Sequence, residues 1–446
     1  MAKLCYDSSG RLLFTKEMRK DYTILLPAMA PIHFEILKCT LNNHGYHAVL
    51  LSNETRAVVD CGLKYVHNDT CYPALLVIGQ MISALESGLY DKHKVALMIT
   101  QTGGGCRASN YIHLLRKALH KAGLDYVPVI SLNVSGLEKN SGFRLTLPFL
   151  RQSIGAIVYG DLLMLLSNQT RPYELHQGDS DRLVSKWIAA ISDAFNQNKG
   201  YSKKEIKANL EKIAADFAAI PVHITPKVKV GVVGEIYVKY SHLGNNNLEA
   251  LLAQEDCEVM VPGLLNFVMY CMEVHLDDAA LYGGGKIESL FVRKLMRYLE
   301  DIESAMRTAM KKYPQFHTPF SFRRTKQSAQ GIIGYGCKMG EGWLLTAEMA
   351  SLVEEGIDNI ICTQPFGCLP NHVCGKGMIR KLKEQYPNSN IVPIDYDPSA
   401  TSVNQENRIK LMLAIAKEKL QPAASSAPEA KKTAAAPSSF AANGGM

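Results

Sequence analysis

The stretch VALMITQTGGGCRASNYIHLLRKALHK, residues 95–121, decides the fold. It opens with an apolar run of strand length, residues 95–100, and closes with helical periodicity over residues 110–121. Glycines and Cys106 separate the two parts. A strand that leads through a short loop into a helix is the first half of a β-α-β unit. The stretch therefore predicts a parallel sheet with a helix packed against it.

Apolar runs of the same kind recur on both sides of a segment, residues 171–221, that has helical periodicity and no strand-like run. The predicted strands are residues 22–26, 47–51, 95–100, 127–132 and 156–159 before this segment, and 228–233, 258–261, 359–363 and 390–394 after it. Strands that alternate with helices indicate parallel sheets covered on both faces. We predict an α/β fold with two doubly wound, Rossmann-like lobes joined by a helical bridge.

The length and composition agree with this organisation. The chain has 446 residues, of which 47% are hydrophobic, so two or three well-packed domains are expected. We predict an N-terminal lobe over residues 1–170, a helical bridge over 171–225 and a C-terminal lobe over 226–420. Residues 421–446 are dominated by Ala, Ser and Pro. That composition predicts a disordered tail, because it offers too little apolar surface to offset the entropy of ordering.

Charge and hydropathy exclude several classes of protein. The chain has 49 Lys and Arg against 42 Asp and Glu, with no block of five basic residues, which argues against a nucleic-acid partner. It contains no uninterrupted apolar run of about 18 residues and no secretory leader pattern at residues 1–10. We therefore predict a cytoplasmic protein without a membrane partner. The 11 cysteines are then expected to be thiols or metal ligands rather than disulfides.

Three of these cysteines are predicted to lie at strand ends and helix N-termini. Cys71 opens an apolar helical segment, Cys106 follows the 95–100 strand, and Cys368 follows the 359–363 strand. The positive end of a helix favours thiolate over thiol, and backbone N–H groups there can bond to cluster sulfurs. The setting suits an iron–sulfur cluster. The gaps of 106 − 71 = 35 and 368 − 106 = 262 residues are not diagnostic, so three separate core thiols remain an alternative.

The other cysteines divide into two groups. Cys337, in the sequence GYGCKMG, also precedes a helical segment and is a fourth candidate ligand. Cys362 and Cys374 flank Cys368 and are the next candidate ligands after Cys337. The remaining cysteines are expected to be packing or unligated residues, with Cys61 placed in a loop: Cys5, Cys39, Cys61, Cys257 and Cys271.

Several longer motifs resemble a known family. They are YVHNDTCYP (65–73), QTGGGCR (101–107), GEIYVK (234–239), GWLLT (342–346) and QPFGCLPNH (364–372). Together they look like the iron–sulfur component of the 2-hydroxyacyl-CoA dehydratase superfamily. They resemble more closely its acyl-CoA dehydratase activase-related branch, whose distant relatives include double-cubane cluster proteins. The likeness covers residues 20–420.

The resemblance implies an oxygen-sensitive cluster, either [4Fe-4S] or a linked double cubane. Cys71, Cys106 and Cys368 would be its ligands, with Cys337 next. It also implies low-potential electrons from an ATP-hydrolysing activase with its own cluster, a substrate that is an acyl-CoA or a small molecule, and a homodimer or a related second subunit. The sequence GGGK at 283–286 is not a P-loop, because Ala280 replaces its first glycine and Ile287 its Ser or Thr. ATP chemistry is therefore expected on the partner.

Two other functions remain open at the level of the sequence. The chain could be a non-catalytic electron carrier or scaffold for a related enzyme. Residues 102–106 could instead form a phosphate- or CoA-binding loop with Cys106 as nucleophile, although no His/Asp relay accompanies it. Arg107 could offset cluster charge or hold an anionic group, and His372 could donate a proton. A surface ion pair for Arg107 and a helix-capping role for His372 are the competing interpretations.

Overall fold

The computed structural model describes residues 2–67, 69–101, 105–133, 138 and 140–420. Two four-stranded sheets form the centre of the two lobes, and every neighbouring pair of strands is parallel. The predicted α/β fold with two Rossmann-like lobes is confirmed. The N-terminal sheet contains β1 (Thr23–Leu26), β2 (His47–Leu50), β3 (Val95–Thr100) and β4 (Val129–Leu132), and the C-terminal sheet contains β5 (Val228–Gly234), β6 (Cys257–Met260), β7 (Asn359–Pro365) and β8 (Asn390–Tyr396).

The two sheets have the same topology. Their strand orders are β2-β1-β3-β4 and β6-β5-β7-β8, so in each sheet the first strand lies between the second and the third. The strands are short and rich in β-branched and other apolar residues, as expected for strands buried on both faces. The equivalent strands β3 and β7 therefore end at equivalent places in the two lobes.

Helices cover both sheets. Those of the N-terminal lobe are α1 (Met18–Asp21), α2 (Pro31–Asn43), α3 (Arg56–Tyr65), α4 (Tyr72–Glu86) and α5 (Tyr111–Lys121), with a 3₁₀ turn at Arg107–Asn110. Thirteen of the fifteen residues of α4 are buried. Cys61 lies within α3, so its predicted place in a loop is wrong. The segment has helical periodicity that continues through Tyr65, and no glycine with positive φ or proline interrupts it.

Three helices follow the first lobe: α6 (Leu147–Thr170), α7 (Asp179–Asn196) and α8 (Lys203–Ala218). The predicted strand at residues 156–159 is wrong, because these residues lie within α6. A short apolar run inside a helix that is buried nearly all round cannot be told from a strand by periodicity. Helix α8 begins with a capping box in which Ser202 and Glu205 satisfy each other's backbone N–H groups.

The C-terminal lobe has the most helices. They are α9 (Ile236–Tyr240), α10 (His242–Asn245), α11 (Leu248–Gln254), α12 (Leu264–Tyr282), α13 (Lys286–Lys311), α14 (Phe322–Ser328), α15 (Trp343–Glu354), α16 (Leu369–Cys374), α17 (Ile379–Gln385) and α18 (Ser402–Leu420), with a 3₁₀ turn at Lys376–Met378. The glycines at 283–285 join two helices rather than a strand and a helix, which is not the setting of a P-loop.

One apolar core spans both lobes. Leu25 of β1 and Ile99 of β3 belong to the same buried cluster as Val230 of β5 and Ile361 of β7. Helix α6 with its following turn, Leu147–Tyr173, is long and apolar enough to cross a membrane, but 72% of its apolar window is buried inside the protein. That burial is typical of a core helix. The predicted tail at 421–446 lies outside the described residues, and the predicted domain boundaries stay a prediction.

Candidate functional site

The carboxyl ends of the strands lead into the candidate site. Strand order reverses between β1 and β3 in one lobe and between β5 and β7 in the other, and open parallel sheets bind ligands beyond such points. Cys106 follows β3, Glu235 follows β5 directly, and Cys368 follows β7. Each of these residues therefore follows a strand that flanks a reversal point. Residues 102–104, which contain two of the predicted loop glycines, lie outside the described part of the chain.

Cys71 reaches the same region by a different route. It is the N-cap of α4, as predicted, but it follows α3, so its predicted place at a strand end is wrong. The apolar segment before it forms a helix rather than a strand. The backbone N–H of Tyr72 donates to the carbonyl oxygen of Phe366 in the other lobe, at 2.9 Å. Gly367 has φ +71° and packs so closely that an added Cβ would lie 3.1 Å from the Cα of Cys71. The two lobes thus meet at the backbone of Cys71 and the loop that carries Cys368.

The three predicted ligands share one electrostatic environment. The thiol of Cys71 is 2.9 Å from the hydroxyl oxygen of Tyr111 on α5. Cys106 contributes to raising the pKa of Cys71, and Cys71 contributes to raising the pKa of Cys368. Burial is the main cause of the raised pKa of Tyr111, and the thiols of Cys71 and Cys368 add to the rise. Cys71 thus lies within electrostatic range of both Cys106 in its own lobe and Cys368 in the other lobe.

Backbone N–H groups from the following turns point at all three thiols. The donors are Ala74 for Cys71, Ala108 for Cys106 and Asn371 for Cys368. The expectation that these turns would favour thiolates is nevertheless wrong. Burial raises the pKa of all three thiols above the ordinary value, and the N–H groups lower it by less. Without a metal, desolvation outweighs the helix ends and the groups are neutral thiols.

Cys337 is placed differently from these three. Its side chain is exposed, and the thiol with which it interacts is that of Cys374 at the end of α16. The backbone N–H of Trp343 donates to the carbonyl oxygen of Cys337 at 2.7 Å, which fixes the loop at the start of α15. Met339 of this loop packs against Gly105, leaving no room there for a Cβ. The loop is adjacent to the Cys106 segment, while Cys337 itself pairs with Cys374.

Two buried carboxyl groups lie among the cysteines. Glu235 is 8% exposed and accepts a hydrogen bond from the backbone N–H of Val238 at 2.9 Å. Glu341 is 7% exposed and accepts from the backbone N–H of Ile236 at 3.0 Å. Both carboxyl groups add to the rise in the pKa of the Cys106 and Cys368 thiols, of which burial is the main cause. Sequence reasoning gave neither residue a role, although a glutamate directly after a strand-terminal glycine, in GEIYVK, was a usable signal.

Both carboxyl groups have a raised pKa. Burial is the main cause, and it raises the pKa of Glu235 to about 8, with the neighbouring Glu341 adding to the rise. Burial also raises the pKa of Glu341. Lys239 lies beside the pair and forms a buried ion pair with Glu348, with Nζ and Oε2 3.2 Å apart. The ammonium lowers the pKa of Glu235, Glu341 and Glu348, but by less than burial raises it.

Two polar side chains at this edge have no hydrogen-bond partner among the described residues. Gln364, near the end of β7, is 0% exposed, and both its amide nitrogen and its amide oxygen lack a partner. The indole N–H of Trp343, at the start of α15, is likewise buried and without a partner. Buried polar groups in native proteins are normally satisfied. The orphaned amide of Gln364, four residues before Cys368, would suit a ligand that forms hydrogen bonds, such as a cluster whose sulfides accept them.

The two weaker candidates lie at the surface. Arg107 is exposed, and its Nη1 donates to the backbone carbonyl oxygen of Asp69 at 3.0 Å. His372 is exposed on α16, where its backbone N–H donates to the carbonyl oxygen of Cys368 at 3.1 Å. Arg107 thus joins the segments that carry Cys106 and Cys71. Its contact is a hydrogen bond to the backbone rather than the surface ion pair weighed as the alternative.

The fold and this arrangement define a class: a two-lobed parallel α/β protein with a thiol-rich site between its lobes. Among the described residues, no group of three or more His, Cys, Asp or Glu side chains is arranged to hold a metal ion as the side chains stand. The comparisons add no name. No family model matches the chain, and no curated protein matches it significantly.

Proposed function

We propose that this chain is an iron–sulfur protein of the 2-hydroxyacyl-CoA dehydratase type. It would receive low-potential electrons from an ATP-hydrolysing activase and pass them to a bound acyl-CoA or small molecule. The observation that supports the proposal is that Cys106 and Cys368 each follow a strand beside the reversal point of its sheet, while the backbone at Cys71 contacts the loop that carries Cys368. Three thiolates on a [4Fe-4S] cluster leave one iron open to another ligand.

The surroundings of the thiols support a cluster rather than a disulfide or a nucleophile. Each thiol receives a backbone N–H donor, and hydrogen bonds to sulfur tune the reduction potential of a cluster. The raised thiol pKa values argue against a reactive nucleophile, because nucleophilic cysteines have lowered values. A cluster bound here would supply one-electron transfer at low potential. The same residues fit a single cubane or one half of a linked pair.

Reduction of a bound substrate also requires protons. Glu235 is buried beside Cys106 and Cys368 and holds a proton near neutral pH, so it is suited to donate one. Lys239 lies close enough to stabilise the carboxylate that remains after the proton leaves. We assign Glu235 as the proton donor and Lys239 as the group that stabilises it. Glu341 shares the site and adds to the rise in the pKa of Glu235 that burial mainly causes.

The proposal is tested by metal content. The full chain is purified without oxygen, reconstituted, and assayed for iron, acid-labile sulfide and EPR signal, alongside Cys71→Ser, Cys106→Ser and Cys368→Ser. Cys257→Ser is the matched control, because Cys257 is a buried thiol at the start of β6 whose Sγ bonds to the carbonyl oxygen of Glu255. We expect stoichiometric iron in the wild type and the control, and loss of most of it in each of the three variants.

Two outcomes would change the conclusion. A reconstituted wild type without iron would overturn the cluster and leave the loops to be interpreted as anion sites. If the cluster forms, addition of acyl-CoA separates the two functions left open by the sequence. A change in the EPR spectrum indicates a substrate site at the open iron, whereas an unchanged spectrum indicates an electron carrier or scaffold.

A further inference from the structure

Cys337 and Cys374 form a pair of thiols that the proposed site does not use. Cys337 is exposed in the loop before α15, and Cys374 is 5% exposed at the end of α16. The two side chains interact directly. They lie 37 residues apart in sequence (374 − 337 = 37), so the fold rather than the local chain brings them together.

The same turn of α15 holds both backbones. The N–H of Trp343 donates to the carbonyl oxygen of Cys337 at 2.7 Å, and the hydroxyl of Thr346 donates to the carbonyl oxygen of Cys374 at 2.6 Å. Trp343 and Thr346 are both 0% exposed, so the turn that holds the two backbones is anchored in the core. The backbones that carry the two thiols are therefore both held by the first turn of α15.

We propose that Cys337 and Cys374 are a redox pair that a peroxide oxidises to a disulfide. The exposed sulfur of Cys337 attacks one oxygen of the peroxide, so that the O–O bond breaks, one water leaves and a sulfenic acid forms. The sulfur of Cys374 then attacks the sulfenic sulfur, the S–O bond breaks, and a second water leaves as the S–S bond forms. Two thiols lose two protons and two electrons, and hydrogen peroxide is reduced to two molecules of water.

The disulfide would join two segments that border the thiol site. Met339, two residues after Cys337, packs against Gly105 next to Cys106. Helix α16 begins after Cys368 and ends at Cys374. Gly340 of the loop also lies against α16, because a Cβ there would be 3.1 Å from side-chain atoms of Pro370. Oxidation would thus clamp the loop onto α16 and restrict opening of the site's edge.

The test treats the full-length protein, both reconstituted and metal-free, with one equivalent of hydrogen peroxide. Free thiols are then alkylated, and the digest is mapped by mass spectrometry. We expect a peptide that links Cys337 to Cys374, with two hydrogens fewer than the sum of the reduced peptides, and slower amide hydrogen exchange over residues 334–342 and 369–375. Cys337→Ser and Cys374→Ser should each abolish the link, and Cys257→Ser should keep it.

Three results would overturn the pair. One is a sulfinic acid on Cys337 with Cys374 still alkylated; another is a link from either residue to a different cysteine; the third is no oxidation of either thiol. The melting curve of each reduced variant checks that the fold survives. Because the metal-free protein is tested in parallel, failure of the redox pair is distinguishable from failure of the cluster.

Discussion

The equivalent strands β3 and β7 end alike in sequence and differently in structure. Gln101 directly follows β3, and Gln364 lies within β7, one residue before its end. In both lobes a loop that carries a cysteine comes next. Gln101 is satisfied by its own lobe: it accepts from the hydroxyl of Ser131 at 2.8 Å and donates to the carbonyl oxygen of Ser109 at 3.2 Å. Gln364 is completely buried and neither its N–H nor its oxygen has a partner among the described residues.

The residues that follow the first strand of each sheet, β1 and β5, also differ in polarity between the lobes. Strand β1 ends at Leu26 and leads through Pro27 into α2, whereas β5 ends at Gly234 and leads directly to the buried Glu235. The N-terminal lobe therefore contributes two thiols on an apolar frame. The C-terminal lobe contributes one thiol together with buried acids, an ammonium and an orphaned amide. The two lobes share a topology but contribute different groups. The N-terminal lobe contributes mainly thiols, and the C-terminal lobe contributes groups that can donate protons and hydrogen bonds.

The largest expected effect comes from the ammonium of the C-terminal lobe. Lys239→Met leaves the carboxyl of Glu348 buried without its cation, and breaking a buried ion pair in this way costs about 3–5 kcal/mol. We expect a loss of that size in urea unfolding at pH 8. The loss should be smaller at pH 5, because burial raises the pKa of the Glu348 carboxyl and a protonated carboxyl needs no cation. The double variant Lys239→Met/Glu348→Leu should recover most of the stability; no recovery would show that the pair is not what Lys239 stabilises.

The contact between the lobes is tested by Gly367→Ala, with Gly331→Ala as the control. Both glycines have positive φ, +71° and +79°, so alanine at either position is strained by about 1–2 kcal/mol. A Cβ on Gly331 meets nothing within 4 Å, whereas one on Gly367 meets the backbone of Cys71. Overpacking typically adds about 1–3 kcal/mol. We expect Gly367→Ala to be the more destabilising in thermal unfolding and to lower iron content; equal losses would place the lobes further apart at this point.

The sequence predicted the frame of this site better than its chemistry. The alternation of strands and helices identified eight strands, because buried parallel strands are short apolar runs between loops. It failed at residues 156–159, inside the largely buried α6. The convergence of Cys71 with Cys368 was expected from motifs alone, since the contact of Tyr72 with Phe366 across lobes leaves no trace in spacing. The raised thiol pKa values could not be predicted, because burial of a loop depends on tertiary packing.

Glu303 on α13 is a buried acid away from the thiols. It tests how much of the pH dependence of stability comes from burial outside the thiol site. Burial raises the pKa of Glu303 to about 7 from an ordinary 4.5. The folded protein then binds a proton that the unfolded chain releases, so stability falls as pH rises from 4.5 to 7 and levels off above that. Glu303→Gln should remove about 3 kcal/mol of this fall, measured by urea unfolding at several pH values. An unchanged pH profile would assign the fall to Glu235 and Glu341 instead.

The smallest effects come from the two glutamines, and they should have opposite signs. Gln364→Leu removes a buried amide that has no partner, whose desolvation costs about 1–3 kcal/mol, so the metal-free protein should become slightly more stable. Gln101→Leu deprives the hydroxyl of Ser131 of its acceptor and should cost about 1 kcal/mol. In reconstituted protein, Gln364→Leu should instead lower iron retention if its amide bonds to a bound cluster. If both variants destabilise the metal-free protein equally, Gln364 is an ordinary structural residue and the two strand ends are equivalent after all.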